Sequence, residues 1–508
     1  MKSGRIHRGP WGGPLGPPSL ATLRLRRWLI LTHRYLGIAL SLLFAMWFLS
    51  GIGMIFTGGM PELTARQRLA HLPDLDLGRV RLSPSEAAGR ADLSFGVGRF
   101  VLTTIMDRPA YRITSARATT IFADNGELLR EVGPAAAMTI GARFMNLPEA
   151  SLHYERRLTT PDQWTIGLRR QMPLHKIVAD DRAATELYVS SRVGEVALQT
   201  TRRSRTLAWL SAIPHWMYFA PLRRNDLLWR RVVLWTSGLG TAAALIGLAL
   251  ALMQRTVRYT GWMRWHYVTG SVFGAFALTW VFSGMLSLEP WDWTSSGIPA
   301  EDIDYALNGG SPDPASFPRI DMRAWNQVLT GRPVKEMEFL RLQDAPYYLV
   351  RGGELMPEPV LMRADQDPAP HRAFSIDTLL RRVREGAPDA RITESTLLSD
   401  YDSYYYARGR AAPLPVLRVK FDDPDRTWMY IDPVMSRVVA DYPRRRRLER
   451  WLYHGFHSLD FSFWYGARPF WDIGVVALSL GGVTLSAIGV VIGTRRLRGT
   501  SRKLKPKK

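Results

Sequence analysis

Five of the ten histidines in this sequence stand where an imidazole has to be accounted for. His33 and His266 lie inside long apolar runs, "THRYLGIALSLLFAMWFLSG" and "WHYVTGSVFGAFALTWVFSG". His215, His454 and His457 lie on short amphipathic stretches that precede two further apolar runs. The remaining five, His7, His71, His153, His175 and His371, fall in a tail or in polar segments. Neutral imidazole is a good iron ligand. A single histidine near a helix end is more often an interfacial or hydrogen-bonded residue. Pairing decides between these readings.

The pairing comes from an internal repeat. His33, Gly37, Trp47, Ser50 and Gly51 recur at identical spacing as His266, Gly270, Trp280, Ser283 and Gly284. A second register aligns Trp209, His215 and Phe219 with Trp451, His457 and Phe461, and then Trp229, Gly240 and Gly247 with Trp471, Gly482 and Gly489. The chain reads as two copies of one unit: helix, extramembrane module, amphipathic segment, helix. Each unit crosses a membrane twice, so both copies share an orientation and a pseudo-two-fold axis follows the membrane normal. That axis brings His33 toward His266 in one layer and His215 toward His457 in another. Two axial ligands on opposite faces of a haem need this arrangement, and a four-helix interior is a common place to build it.

Other residues fit around the pairs, each with a plainer alternative. Gly37 and Gly270 follow the histidines by one turn and would leave room for a macrocycle, or serve close helix contact. Arg34 would meet a haem propionate, or a lipid phosphate. Trp47 and Trp280, about 21 Å along the helix from their histidines, fall between the layers and serve core packing or an electron path. His454 and His457 share a helix face with Asp460. His454 is thus a second candidate at that layer, and a small metal site of His454, His457 and Asp460 is a competing reading that lacks a clear fourth ligand. The run "YDSYYY" at 401 to 406 reads as an aromatic strand packed on its module, or as a surface for a ligand. "GLGTAA" at 238 to 243 lies within an apolar helix and is no dinucleotide fingerprint.

The elements that must position these side chains are membrane spans. Apolar runs at 28–57, 229–253, 264–288 and 471–493 are each long enough for a hydrocarbon core of about 30 Å. The first lacks a cleavage site and is expected to be retained. Seventeen lysines and arginines, with no acid among them, fall in the 1–27 tail, around the 254–263 turn and in the 494–508 tail, all on one side of a four-span path. This places both termini in the cytoplasm and turns much of the net charge of +22 into an orientation signal and a contact with membrane lipid, not a nucleic-acid surface. The absence of cysteine excludes thiolate clusters, disulfides and c-type haem attachment.

Segments 58–206 and 289–446 are polar and rich in turn residues, with interfacial segments at 207–228 and 447–470. Hairpins are expected at 119–129, 185–198, 346–356 and 427–439, with Asn125-Gly126 the strongest turn signal, and a helix at 375–387. The expected fold class is an integral membrane α-helical protein: four transmembrane helices as two parallel-repeat pairs, with two α+β modules on the periplasmic face.

The two histidine-bearing helices, "RWLYHGFHSLDF" before the fourth span, and strand endings such as "FADNGELL" and "MYIDPVMSRVV" resemble the PepSY-associated transmembrane family over nearly the whole chain. "VSSRVGEV" departs from the family pattern in lacking an acid before its turn. The resemblance implies PepSY-like modules and a protein of the bacterial inner membrane. Family members that are ferric-siderophore reductases carry b-type haem between histidines. Carried over, this implies His33 with His266 for a cytoplasmic haem b and His215 with His457 for a periplasmic one, both bis-His. It further implies a periplasmic ferric-siderophore or other iron chelate as substrate, and a cytoplasmic or quinol electron donor. The expectation from another class is a non-enzymatic envelope protein whose modules bind a peptide or protein.

Overall fold

The computed structural model describes residues 20–503 apart from 92, 94–95, 116–117, 255–258, 320–328, 330, 354–355, 367–368 and 409–411. Of the orientation signal, Lys2, Arg5, Arg8, Arg255, Arg258, Lys505, Lys507 and Lys508 lie outside the described residues.

Four helices are long and apolar enough to cross a membrane. They run Leu20–Thr57, Asp226–Met253, Gly261–Leu286 and Phe470–Lys503, each extending or shifting the apolar run by a few residues because flanking polar residues continue the helix. Asn225 caps the second by accepting the Leu228 amide. The first span packs on the second and fourth, and the third packs on the same two. The first and third are therefore diagonal across the bundle. Missing side chains make the packing close: a Cβ on Gly240 would lie 2.8 Å from the Phe44 ring, and one on Gly482 2.8 Å from the Phe48 ring.

Outside the bundle the fold departs from expectation. Among the described residues 49% helix stands beside three antiparallel sheets of 14 strands in all, so a helical membrane protein with two separate modules is corrected. β4 (Leu152–Leu158), β5 (Leu174–Ala179), β6 (Glu186–Ser190) and β7 (Val196–Thr200) form one four-stranded sheet. β11 (Ile392–Leu398), β12 (Val416–Phe421), β13 (Trp428–Asp432) and β14 (Arg437–Tyr442) form another. The third sheet is shared between the segments. β1 (Arg99–Ile105), β2 (Arg108–Thr114) and β3 (Ala118–Phe122) join β8 (Val334–Leu342), β9 (Ala345–Gly352) and β10 (Val360–Arg363) in the order β10-β9-β8-β1-β2-β3. An edge strand carries unpaired amide and carbonyl groups. Here each half satisfies the edge of the other.

The seam is also a symmetry element. Hairpin turns at Met106-Asp107 and Gln343-Asp344 place all four residues at positive φ. The offset that matches these turns also makes Val101 equivalent to Glu338, and those two are direct register partners. The pseudo-two-fold axis passes between them. Segments "IMDRPAY" and "LQDAPYY" share Asp, Pro and Tyr at this offset, a repeat easily overlooked in sequence. Phe100 stacks on Phe339 at 4.3 Å within the core beneath the seam.

Each four-stranded sheet has its own apolar core. Pro134–Met145 lays Ala137, Ala142 and Phe144 on Ile177 and Leu187. Ile376–Gly386, capped by Ser375, lays Leu379 and Val383 on Val419 and Met429.

Candidate functional site

Diagonal placement of the first and third spans turns His33 toward His266. Their ring centroids lie 6.1 Å apart with planes inclined at 44°. Near the C-terminal ends of those spans, the short helix Ala212–Trp216 and the π-helical turn Arg450–Gly455 with the turn that follows it deliver His215 and His457 to 6.0 Å, inclined at 64°. Two metal–imidazole bonds of about 2 Å, plus about 1 Å from each nitrogen to its ring centre, sum to about 6 Å. Two imidazoles hydrogen-bonded directly to one another would lie about 1 Å closer. Both pairs leave the space of one intervening atom.

The backbone fixes which nitrogen is available. Nδ1 of His215 lies 3.2 Å from the Trp47 carbonyl oxygen and 3.3 Å from Ser50 Oγ. Nδ1 of His457 lies 3.1 Å from both the Trp280 carbonyl oxygen and Ser283 Oγ. A carbonyl accepting from Nδ1–H leaves Nε2 as the ligating nitrogen, the outer arrangement typical of metal-bound histidine. Gly51 and Gly284 complete the seat: a Cβ there would stand 3.3 Å and 3.5 Å from the respective imidazole Cε1. Burial pushes both His215 and His457 toward the neutral form that a ligand requires.

The His33–His266 layer is less symmetric. Nδ1 of His33 lies 2.9 Å from the Ala243 carbonyl oxygen, and a Cβ on Gly247 would come within 2.6 Å of its Cε1. Nδ1 of His266 is buried without a hydrogen-bond partner among the described residues. A Cβ on Gly37 would meet nothing within 4 Å, and one on Gly270 only Leu485 at 3.7 Å. Neither glycine serves close helix contact there. Arg34 is half-buried beside His33.

A cavity of about 590 Å³ opens between His215 and His457, walled in part by Trp47 and Trp280, a size typical of cofactor pockets. No group of three or more His, Asp or Glu side chains is arranged for a metal ion among the described residues. A bare ion would find two protein donors at each pair, whereas a haem brings its own in-plane donors and needs only an axial pair. The residues present fit that group.

No family model matches the chain, and no curated protein matches it. The family resemblance thus stands on the quoted motifs alone.

His454 is turned away from the pair. Its Nδ1 meets Arg408, and burial, with Arg408 and Arg450 alongside, pushes it toward the neutral form. Asp460 is buried and accepts the Tyr406 hydroxyl at 2.6 Å. His454, His457 and Asp460 therefore do not converge on one point. In "YDSYYY", Tyr405 stacks on Tyr430 at 5.0 Å and Tyr404 packs against Trp428 and Trp451, so these two are core residues. Tyr404, which accepts from Trp451 Nε1, and Tyr406, through Asp460, both reach the histidine segment.

The serines, the tryptophan carbonyls and the glycines next to the imidazoles are the functional groups that sequence reading missed. Their signal was present: the repeat identities at Trp47, Ser50 and Gly51 are the residues that seat His215. The tryptophan rings line the cavity and pack with Phe44 and Phe48, while their backbone oxygens orient the histidines.

Proposed function

We propose that this chain is a transmembrane haem b electron-transfer protein that reduces periplasmic ferric iron, presented as ferric-siderophore or other chelate complexes, in iron acquisition. The observation that carries this reading is the pair of facing imidazole pairs, 6.1 and 6.0 Å between centroids, at opposite ends of one four-helix bundle. From His33 to Gly51, which seats His215, the first span rises about 27 Å, close to the thickness of a hydrocarbon core. The two pairs thus stand toward opposite ends of the bundle.

His33 with His266, and His215 with His457, would hold one haem each; when bound, haem supplies one-electron chemistry between ferric and ferrous states. The chain itself does the rest. Carbonyl oxygens of Trp47, Trp280 and Ala243 hold three imidazoles in the tautomer that exposes Nε2. Phe44, Phe48 and Trp280 pack against one another between the layers and give the cavity apolar walls. The seventeen basic residues orient the chain in a bacterial inner membrane with both termini cytoplasmic. Electrons enter from a cytoplasmic or quinol donor. A ferric chelate is the substrate because hard oxygen donors hold Fe(III) better than Fe(II), so reduction loosens iron from its carrier.

A visible spectrum of protein purified from haem-replete cells tests the reading. A Soret band that shifts on dithionite addition is expected. Colourless protein would overturn it in favour of an envelope protein whose extramembrane sheets bind a peptide or protein.

A further inference from the structure

The two halves seat their periplasmic imidazoles alike but surround them differently. Aligned on Asp162 with Asp402 and on His215 with His457, the second half has Tyr406, Arg408, Arg450, His454 and Asp460 where the first has Ile166, Leu168, Ala208, Ala212 and Tyr218. The alignment is also structural. Asp162 Oδ1 accepts the amides of Trp164 and Thr165, and Asp402 Oδ1 accepts those of Tyr404 and Tyr405. The His215 ring nitrogen is held by the Trp47 carbonyl and Ser50, with no hydrogen bond to any of the second-half charges, so those charges are not what an imidazole needs to be oriented.

The second-half cluster sets two guanidiniums, those of Arg408 and Arg450, about the one carboxylate of Asp460. Arg450 is 2% exposed, donates from Nε to the Ser403 carbonyl and from Nη2 to the Asp460 carbonyl, and keeps Nη1 buried with no hydrogen-bond partner among the described residues. Arg408 Nε lies 3.4 Å from Asp460 Oδ2, and Arg450 Nη2 3.7 Å from Asp460 Oδ1, so two guanidiniums share one carboxylate. Arg408 also lines the cavity between His215 and His457. Glu449, the acid on that cavity wall, is pushed toward its neutral form by burial and by Glu289. A buried cation short of a counter-charge is destabilising until an anion pairs with it, and a guanidinium fork matches a carboxylate.

We propose that Arg408 is a carboxylate-binding residue on the wall of the periplasmic cavity, provided by one half of the chain only. The inference rests on the haem reading for what lies beside it. The carboxylate comes either from the side chains of the macrocycle held by His215 and His457 or from a carboxylate chelate of iron arriving from outside.

The test uses the full chain in lipid nanodiscs as wild type, R408L, which installs the first-half residue type, and R408K. Ferric citrate and the carboxylate-free ferric acetohydroxamate serve as probes. If the macrocycle supplies the carboxylate, R408L without any chelate loses haem on dialysis about tenfold faster or more, with a shifted potential, and R408K recovers part of the loss. If the chelate supplies it, haem retention and potential stay put. R408L then needs about tenfold more ferric citrate for half-maximal reduction, and its acetohydroxamate dependence is unchanged. An R408L protein equal to wild type in retention, potential and citrate dependence overturns the proposal. A colourless wild type defeats the haem reading separately. Quenching of cavity tryptophans by ferric citrate then decides Arg408: quenching lost in R408L supports the site, and quenching unchanged overturns it.

Discussion

The imidazole of His457 rests with Nδ1 3.1 Å from the carbonyl oxygen of Trp280, a residue 177 positions earlier in the chain. The same contact joins His215 to Trp47 in the other half. A backbone acceptor cannot be removed by mutation of its own side chain, so the orientation of this layer is built into the helices. The consequences can be measured.

Removing single imidazoles separates the two layers. On the proposed haem reading, His33→Ala is expected to leave about one haem per chain, and so is His457→Ala, because each pair would lose one of the two imidazoles that would hold the group. His454→Ala is expected to retain both. A pyridine haemochrome assay against protein concentration gives the count, and loss from His454→Ala with retention in His457→Ala would reverse the assignment.

Glycine substitutions probe the seats. Gly247→Ala places a Cβ 2.6 Å from His33 Cε1 and is expected to displace that imidazole, with selective loss of the cytoplasmic haem signal. Gly37→Ala, one turn from the same histidine, meets nothing within 4 Å and should leave an unliganded bundle unaffected. A loss of haem in Gly37→Ala without loss of fold, read by absorbance beside circular dichroism, would mean that the open space beside this glycine is filled in the loaded protein.

Hydroxyls that support the ligands should matter less than the ligands. Ser283→Ala removes the 3.1 Å contact to His457 Nδ1 but keeps the Trp280 carbonyl. Haem affinity at this layer is expected to fall about tenfold, the low end for outer-shell partners of a ligating histidine. Haem transfer to apomyoglobin measures it, and an unchanged transfer rate counts against the hydroxyl's role.

The seam between the halves depends on charge. Glu336 is 1% exposed and receives Arg68 at 2.5 Å and Arg99 and Arg351 at 3.1 Å each. Glu336→Gln leaves these arginines short of a partner and is expected to destabilise the extramembrane sheets by about 3 kcal/mol, the low end for a broken buried pair because the arginines are partly exposed. Denaturant unfolding followed by circular dichroism in the β region checks this.

Acid should weaken the same region. Burial opposes ionisation of Glu195 and Glu338, but Arg112 with Arg68 and Arg99 outweighs it at Glu195, and Arg351 with Arg99 at Glu338. Both carboxyls are held below the ordinary glutamate range. A folded value below the unfolded one means that the stabilisation is complete above that ordinary range and fades as pH falls through the depressed folded values. Melting temperature is expected to hold through neutral and mildly acidic pH and to drop below about pH 4. A melting temperature flat down to pH 3 would show that these pairs contribute nothing to stability.

Local patterns carried much of the fold into view. Apolar runs of membrane length marked the four long helices, because helix hydrogen bonds are internal to the segment and need no distant partner. Alternating stretches with Gly and Asn turns marked hairpins such as β6–β7 and β13–β14, whose registers are set by their turns. An Asp near its start and a Gly near its end marked the helix Ile376–Gly386. The repeat paired His33 with His266 and His215 with His457 before any distance was known.

Distances and cross-half partners were not legible. The antiparallel pairing of β1 with β8 joins residues more than two hundred positions apart, and nothing in either strand's alternation names its partner across an open edge. Trp47 and Trp280 looked like packing or an electron path because sequence displays side chains, while the groups that orient the histidines are main-chain oxygens. Arg408 and Asp460 were separated by three strands and the Arg450–Gly455 turn until packing brought them to 3.4 Å. The sequence by itself determined which segments are helices, which histidines are twins and where charge accumulates, all consequences of local pattern and repetition. Only the tertiary structure decided that the twins stand about 6 Å apart, that two halves share one sheet and that one half alone lines the cavity with a guanidinium, because those relations depend on how distant segments exclude water together.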